Sequence, residues 1–152
     1  MWVGTNDNGV VCLHNGDSRH YSYKEGLGST SVNAITEDEN GNILVATKQG
    51  VYYFDENSNI SSISDLQIKN TYISKLARCA DGTVCGVTKS GAVFRIKKLR
   101  LTDYYNGEDI GAGEVKAIMP SAGNPDEAWL GSNDGAVFRG SFADSFANME
   151  IS

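Results

Sequence analysis

The stretch that decides the fold is VNAITEDENGNILVATKQGVYYF, residues 32–54. Residues 32–37 alternate in side-chain character and a polar run follows at 38–42, which is the pattern of a strand that enters a hairpin turn. A second short apolar run occupies 43–47, residues 48–50 turn, and 51–54 are β-branched or aromatic, as in a third strand. After the polar residues 55–59, residues 60–63 supply a fourth strand. The stretch predicts a four-stranded antiparallel meander, with strands A to D in chain order.

Outward from this stretch the pattern recurs with a fixed period. The motif Trp2-Val3-Gly4-Thr5 has counterparts at 44–47, 85–88 and 129–132, so its hydroxyl residue stands at positions 5, 47, 88 and 132. A second landmark on strand A, residues 32–35, recurs at 73–76 and 115–118. Two landmarks that keep one period of 41 to 44 residues indicate a repeated supersecondary unit.

The composition agrees with a soluble all-β domain. The 152 residues include 17 Gly and 2 Pro, carry a net charge of −6 and are 40% hydrophobic, with no apolar window of the ~20 residues that a bilayer span requires. Lys97, Lys98 and Arg100 are the densest basic group, which is too little for a nucleic-acid surface. We therefore expect neither nucleic-acid binding nor a membrane span.

Repeated meanders of this length are typical of β-propeller blades, because neighbouring blades cover each other's faces. A two-sheet sandwich also has many short strands, but it does not predict a repeated sequence. We predict a single partial propeller over 1–152, with copies at about 1–30, 31–70, 71–113 and 114–152 and a first blade that lacks strand A. We also expect the chain to be a portion of a longer propeller whose exposed blade faces associate, as in a homodimer.

The same segments resemble the two-component regulator propeller repeat. Its strand A ends in an Asp, as at Asp38, and its strand B carries an aromatic, a small residue and Thr before a Gly, as at Trp2-Val3-Gly4-Thr5 with Gly9. The third copy departs from the pattern, with Cys79 in place of the Asp and Cys85 in place of Trp or Leu. The resemblance implies a seven-bladed or double propeller outside the cytoplasm in bacterial sensors, often hybrid histidine kinases or diguanylate cyclases, that binds a ligand such as a glycan fragment.

The three cysteines, Cys12, Cys79 and Cys85, are an odd number, so at least one is unpaired within the chain, and we interpret them as small buried apolar residues. A two-residue turn at Asp81-Gly82 would place Cys79 and Cys85 on opposite faces of the sheet, where they cannot bond. A zinc site lacks a second ligand pair. No signal peptide begins the chain, so an extracytoplasmic location rests on the family resemblance.

The sequence shows no catalytic constellation and no cofactor motif. His14 and His20 have no carboxylate or Cys at a spacing that completes a metal site, and the acidic residues at 37–39 and 55–56 have the placement that turns require. The Asp-Gly and Asn-Gly pairs lack the remaining ligands of a calcium loop.

A ligand site is expected where the B–C and D–A connections share one end of the ring, around the mouth of its channel. The candidate residues there offer hydrogen-bonding and stacking groups: Asn6, Asp7, Tyr23, Lys48, Gln49, Tyr72, Lys89, Tyr105, Asn133 and Asp134. The favoured function is a non-catalytic ligand-recognition or signalling segment of a bacterial sensor. Two alternatives stay open: a propeller enzyme (lyase, lactonase or glycosidase) and a scaffold that reads a protein partner.

Overall fold

The computed structural model describes residues 1–151, and its regular structure is almost entirely β-strand. Two single-turn 3-10 helices lie at Tyr23–Glu25 and Phe142–Asp144. The strands in this part of the chain are β1 (Trp2–Gly4), β2 (Val10–His14), β3 (Asp17–Tyr21), β4 (Val32–Glu37), β5 (Ile43–Thr47), β6 (Gly50–Phe54), β7 (Ile60–Ser62), β8 (Ile73–Arg78), β9 (Val84–Thr88), β10 (Ala92–Lys97), β11 (Arg100–Asn106), β12 (Val115–Pro120), β13 (Glu127–Ser132), β14 (Val137–Ser141) and β15 (Glu150–Ile151).

The strands form four antiparallel meanders in chain order: β1–β3, β4–β7, β8–β11 and β12–β15. We call them blades 1 to 4. Strand A of each complete blade contacts strand A of the next, β4 with β8 and β8 with β12, while β1 contacts β4. The predicted all-β partial propeller, with a three-stranded first blade that begins at strand B, is confirmed.

Each junction between successive blades holds one apolar cluster. Tyr21 and Trp2 of blade 1 pack on Phe54 of blade 2, with ring centroids 4.8 and 4.7 Å from the Phe54 ring. Ile73 and Phe94 belong to the cluster between blades 2 and 3. The third cluster, between blades 3 and 4, contains the buried Cys79 and Cys85, whereas the partly buried Cys12 packs against the first cluster. These junctions are the core of the molecule, because an isolated blade leaves both of its faces open.

Strand B pairs with strand C in the same way in every blade. A valine on C lies opposite a small residue or valine on B, and the pairs are Gly4 with Val10, Ala46 with Val51, Val87 with Val93, and Gly131 with Val137. The small residue lets the next blade approach closely. A Cβ added to Gly4 would lie 2.5 Å from Cγ1 of Val32 in blade 2, which is a steric clash.

Strand A contains a bulge at the same place in blades 2, 3 and 4. The register with strand B shifts between Val32 and Ala34, and again at the equivalent residues 73–75 and 115–117. The bulged residues are therefore Asn33, Ser74 and Lys116. A bulge re-aims a side chain, and these three lie near the start of each strand A, close to the connection from the preceding strand D.

The turn between β8 and β9 corrects the predicted placement of two cysteines. Cys79 donates its N–H to the Thr83 carbonyl at 2.7 Å, and Cys85 pairs with Ala77, so the loop has three residues and not two. Gly82 at φ +89° makes the longer loop possible. Because of the additional loop residue, the side chains of Cys79 and Cys85 point to the same face of the sheet and not to opposite faces. Both lie in the same apolar cluster as free thiols. The neighbouring Cys85 side chain is the largest cause that lowers the pKa of Cys79 below its ordinary value.

No helix among residues 1–151 has the length and apolar character needed to cross a membrane.

Candidate functional site

The B–C turn and the D–A segment of each complete blade meet at one end of the molecule. The residue that follows the strand-B hydroxyl donates its N–H to a D–A carbonyl in each case: Lys48 to Ser31 at 3.3 Å, Lys89 to Tyr72 at 2.9 Å and Asn133 to Glu114 at 2.9 Å. Asn6 occupies the equivalent position in blade 1. Four of the predicted site residues therefore occupy one repeated structural position.

Hydroxyl groups shape these turns. Thr47 donates its Oγ1 proton to the Gly50 carbonyl at 2.9 Å and accepts the Gln49 N–H at 3.0 Å. Thr5 donates to the Gly9 carbonyl at 2.7 Å in the same way. The glycine follows the threonine by three residues at Thr47 and by four at Thr5. In both turns the threonine side chain replaces a backbone partner and the glycine accepts positive φ. The exposed side chain after the threonine is thereby held at the rim.

Three predicted residues from successive blades converge on one aromatic ring. The Nζ atoms of Lys89 and Lys48 lie 4.7 and 5.8 Å from the centroid of the Tyr72 ring. Lys48 belongs to blade 2, Lys89 to blade 3, and Tyr72 to the segment that joins them. Cation–π attraction places both ammonium groups over this ring while they remain exposed to solvent.

We call Lys48, Lys89 and Tyr72 the Tyr72 cluster. A second group of side chains adjoins it on the side of blade 4. The bulged Lys116 donates to the Lys89 carbonyl at 3.2 Å and pairs with Glu114 at 2.5 Å. Asn133 donates its side-chain amide to Glu114 at 3.3 Å. Lys116 was missed by sequence reasoning, although the repeat period aligns it with Asn33 and Ser74 on strand A.

A polar cleft of about 360 Å³ opens beside these side chains. Ser90 and Glu114 line it next to Lys89 and Lys116, and the D–A segment of blade 3 supplies Glu108 and Asp109. The cleft is thus lined by carboxylate acceptors, and the lysines of the Tyr72 group adjoin it without being part of its lining. A space of this size suits a small ligand.

The remaining predicted residues lie apart from the Tyr72 cluster. Asn6 and Asp7 are exposed in the B–C turn of blade 1, Gln49 is exposed beside Lys48, and Tyr23 is exposed in the first 3-10 helix. No contact found in residues 1–151 joins Tyr23 to Tyr72.

Tyr105 and Asp134 have structural contacts of their own. Tyr105 lies within β11, the outermost strand of blade 3, where its hydroxyl donates to Ser145 at 3.1 Å and its ring meets Phe146 edge-on. Asp134 accepts the Ser132 hydroxyl and the Ala136 N–H, and these hydrogen bonds hold its pKa below the ordinary value. Both residues are therefore occupied in holding a junction or a turn.

The two histidines are exposed on β2 and β3. His14 contacts the neighbouring Asn15 side chain at 3.1 Å, and His20 contacts the Asn8 carbonyl. Residues 1–151 contain no group of three His, Cys, Asp or Glu side chains placed to hold a metal ion.

Comparisons with known proteins agree with the fold. Residues 26–49, which run from the D–A segment of blade 1 through β4 and β5, match the two component regulator propeller. No curated protein matches the chain significantly.

Several solved structures are similar over 99% of the chain. They include a catalytically inactive virginiamycin B lyase from Staphylococcus aureus with quinupristin (17% identity, TM-score 0.74). The extracellular domains of the hybrid two component systems BT4673 and BT3049 from B. thetaiotaomicron also match, at 14% and 15% identity with TM-scores of 0.75 and 0.71.

The chain spans 50% of the lyase chain and 22% of each extracellular domain. At these identities the likeness establishes the fold, and the family match identifies one repeat. The chain is thus a partial β-propeller in which residues 26–49 match the two component regulator propeller.

Proposed function

We propose that this chain is the ligand-recognition segment of an extracytoplasmic two-component-type sensor, that it performs no catalysis, and that its ligand is a carbohydrate. The match to the two component regulator propeller and the similarity to extracellular domains of hybrid two component systems support the sensor assignment.

The observation that carries the ligand site is the convergence of Lys48 and Lys89 on Tyr72 beside the polar cleft. An oligosaccharide presents hydroxyls that both donate and accept hydrogen bonds. The two ammonium groups can donate to its oxygens, and Glu108 and Asp109, which line the neighbouring cleft, can accept from its hydroxyls. Because these side chains stand on turns that are tied to adjacent blades, binding does not have to order their backbone.

Thermal unfolding in the presence of neutral and uronic-acid-containing oligosaccharides tests the proposal. We expect one oligosaccharide class to raise the Tm by a few degrees, as mass action requires of a ligand that binds the folded state. Lys89→Ala and Lys48→Ala should each weaken binding of that class about 10-fold, since each removes a charged donor. Lys97→Ala is the matched control, because Lys97 is an exposed lysine at the far end of β10.

A shift that Lys97→Ala abolishes as strongly as Lys89→Ala would contradict the site. No shift across the panel would contradict carbohydrate binding and favour a protein-interaction scaffold. The enzyme alternative is supported by the fold likeness to virginiamycin B lyase alone. A stoichiometric divalent metal in the purified protein would favour that alternative.

A further inference from the structure

A second cleft, of about 300 Å³, opens between the outer strands of blades 1 and 2. It lies near the C–D turns, which are at the end of the blades opposite the Tyr72 cluster. Strand pairing places its blade 1 residues on one face of the sheet, because Cys12 lies opposite Arg19 and His14 opposite Asp17. The lining residues come from β2, β3 and the C–D turn of blade 2: Cys12, His14, Asp17, Arg19, Tyr21 and Ser58.

The Tyr21 side chain is buried, yet its hydroxyl group has no protein partner. Tyr21 is 7% exposed, and its ring is held between the rings of Trp2 and Phe54, whose centroids lie 5.8 and 4.8 Å away. No group within residues 1–151 forms a hydrogen bond with its hydroxyl, which reaches the cleft. A buried tyrosine ordinarily finds a partner for this group, so the hydroxyl is available to a bound molecule.

Arg19 occupies a position at which other blades form an ion pair. The residues that lie opposite each other here on strands C and D are an arginine and a carboxylate, joined at 2.9 Å in blade 3 and 2.6 Å in blade 4: Arg95 with Asp103, and Arg139 with Glu150. In blade 1 the pair is Cys12 and Arg19. The arginine therefore stands on strand D and faces a thiol where a carboxylate would be expected.

The following blade does not supply the carboxylate either. Arg95 has a second partner, Asp126, in the A–B turn of blade 4. The strand register places Gly41 at the equivalent position of blade 2. Within residues 1–151 Arg19 forms no ion pair, although its side chain lines the cleft. A guanidinium left in this way can bind an external carboxylate through two parallel hydrogen bonds.

We propose that this cleft binds a small carboxylic acid that carries a hydrogen-bond donor on its α-carbon, as an α-amino acid or an α-hydroxy acid does. Arg19 donates to the carboxylate, and the Tyr21 hydroxyl adds a further hydrogen bond. Asp17, two residues before Arg19 on the same face of β3, accepts from the α-ammonium or α-hydroxyl group. The cleft is remote from the Tyr72 cluster, so this proposal does not depend on the carbohydrate ligand proposed above.

Alkylation of Cys12 tests the carboxylate specificity, because Cys12 lines the cleft and is half-buried, whereas the other two thiols are buried. Iodoacetate and iodoacetamide present a carboxylate and its neutral amide to the same thiolate, which displaces iodide from either reagent. The thiolate fraction therefore cancels in the ratio of the two rates. Arg19→Gln should lower the iodoacetate-to-iodoacetamide ratio about 10-fold, as measured by mass spectrometry.

Arg100→Gln is the matched control, because it removes an exposed arginine from blade 3. It should change the ratio less than ~2-fold, since solvent and salt screen a distant surface charge. If Arg19→Gln does not fold, Arg19→Lys replaces it and should also lower the ratio, because an ammonium group cannot form the two parallel hydrogen bonds. A ratio that Arg19 variants leave unchanged, or that Arg100→Gln lowers equally, would overturn the proposal.

Protection of Cys12 from iodoacetamide distinguishes the two ligand classes. Free alanine represents the amino acids, lactate the hydroxy acids, and lactamide is the neutral control. At least one of the two acids should slow the alkylation several-fold, and Arg19→Gln should abolish this protection. Asp17→Asn should weaken protection by alanine more than protection by lactate, because it removes the negative charge beside the ammonium group. Lactamide that protects as well as the acids, or a Cys12 that neither acid protects, would contradict a carboxylate site.

Discussion

At the scale of single residues, Arg95 is a charged group that joins blades 3 and 4. It donates to Asp103 of its own blade at 2.9 Å and to Asp126 of blade 4 at 2.6 Å, and its guanidinium lies 4.6 Å from the Phe142 ring centroid. Burial lowers the pKa of Arg95, but the two carboxylates outweigh this effect and raise it above the ordinary value. The charge is therefore retained inside a junction that is otherwise apolar.

Replacing Arg95 with alanine should lower the free energy of unfolding by about 2 kcal/mol, because the half-buried Asp103 carboxylate loses its partner. Arg100→Ala, which removes an exposed arginine 3.6 Å from Asp65, should cost less than ~0.5 kcal/mol. Urea denaturation of the two variants measures the difference. Equal losses would show that the Arg95 junction contributes no more than a surface ion pair.

The aspartates at the start of turns should make the stability of the fold sensitive to acid. Burial raises the pKa of Asp81, but hydrogen bonds donated by the Thr83 hydroxyl and N–H outweigh it and lower the pKa below the ordinary value. A carboxyl with a lowered folded-state pKa stabilises the fold above its unfolded pKa and loses this contribution as the pH falls through the folded value.

We therefore expect the Tm of the wild type to fall as the pH is lowered from about 5 to 3, across and below the ordinary carboxyl range. Asp81→Asn should have a lower Tm at neutral pH and a shallower decline on acidification. A variant whose Tm follows the wild-type pH profile in parallel would show that Asp81 does not contribute to this sensitivity.

At the scale of single elements, the three-residue A–B turn brings neighbouring blades together. A Cβ at Gly82 would lie 2.8 Å from the Cβ of Glu39 in the A–B turn of blade 2, and Glu39 in turn accepts the Lys98 N–H at 2.6 Å. Gly82 is thus constrained twice, by its positive φ and by the adjacent turn. Gly16 has a similar φ, +84° against +89°, but open space around it.

Alanine variants of Gly16 and Gly82 distinguish the cost of backbone strain from the cost of disturbing the contact between blades. Gly16→Ala should cost about 1 kcal/mol from its left-handed backbone alone. Gly82→Ala should cost at least ~1 kcal/mol more, because the new methyl group displaces Glu39. Chemical denaturation provides both values. Equal costs would mean that the turns of blades 2 and 3 do not approach as closely as described.

Sequence reasoning reached the strands but not their irregularities. Alternation over 32–37 and the recurrence of the Thr47 motif identify strands A and B, because burial on sheet faces imposes those patterns. The bulges at Asn33, Ser74 and Lys116 leave no compositional mark, since an unpaired extra residue can be of almost any type. The length of the loop after Cys79 was mistaken for the same reason, as Asp-Gly occurs in two- and three-residue turns alike.

The candidate site was anticipated in part. Lys48 and Lys89 follow the repeated threonines, so the period alone places them at one end of the ring. Their convergence on Tyr72 depends on how two adjacent blades are rotated, which no local pattern encodes.

At the scale of the whole molecule, stability lies between the blades. The buried valine of strand C, at Val10, Val51 and Val93, faces the next blade in each case. Each blade contacts the blades that precede and follow it in the chain. Contacts between neighbouring blades therefore supply most of the stability, and blades can stack one after another.

Contacts between successive blades, measured by nuclear Overhauser effects in solution, test this account most directly. The propeller predicts cross-peaks from the Trp2 indole to the Phe54 ring and from the Asn33 side-chain amide, which donates to the Ile73 carbonyl at 2.8 Å, to residues at the start of β8. It predicts none between β4 and β13 within one chain. Cross-peaks that pair blade 2 face to face with blade 4, as in a two-layer sandwich, with no Trp2–Phe54 contact, would contradict the repeated-blade fold.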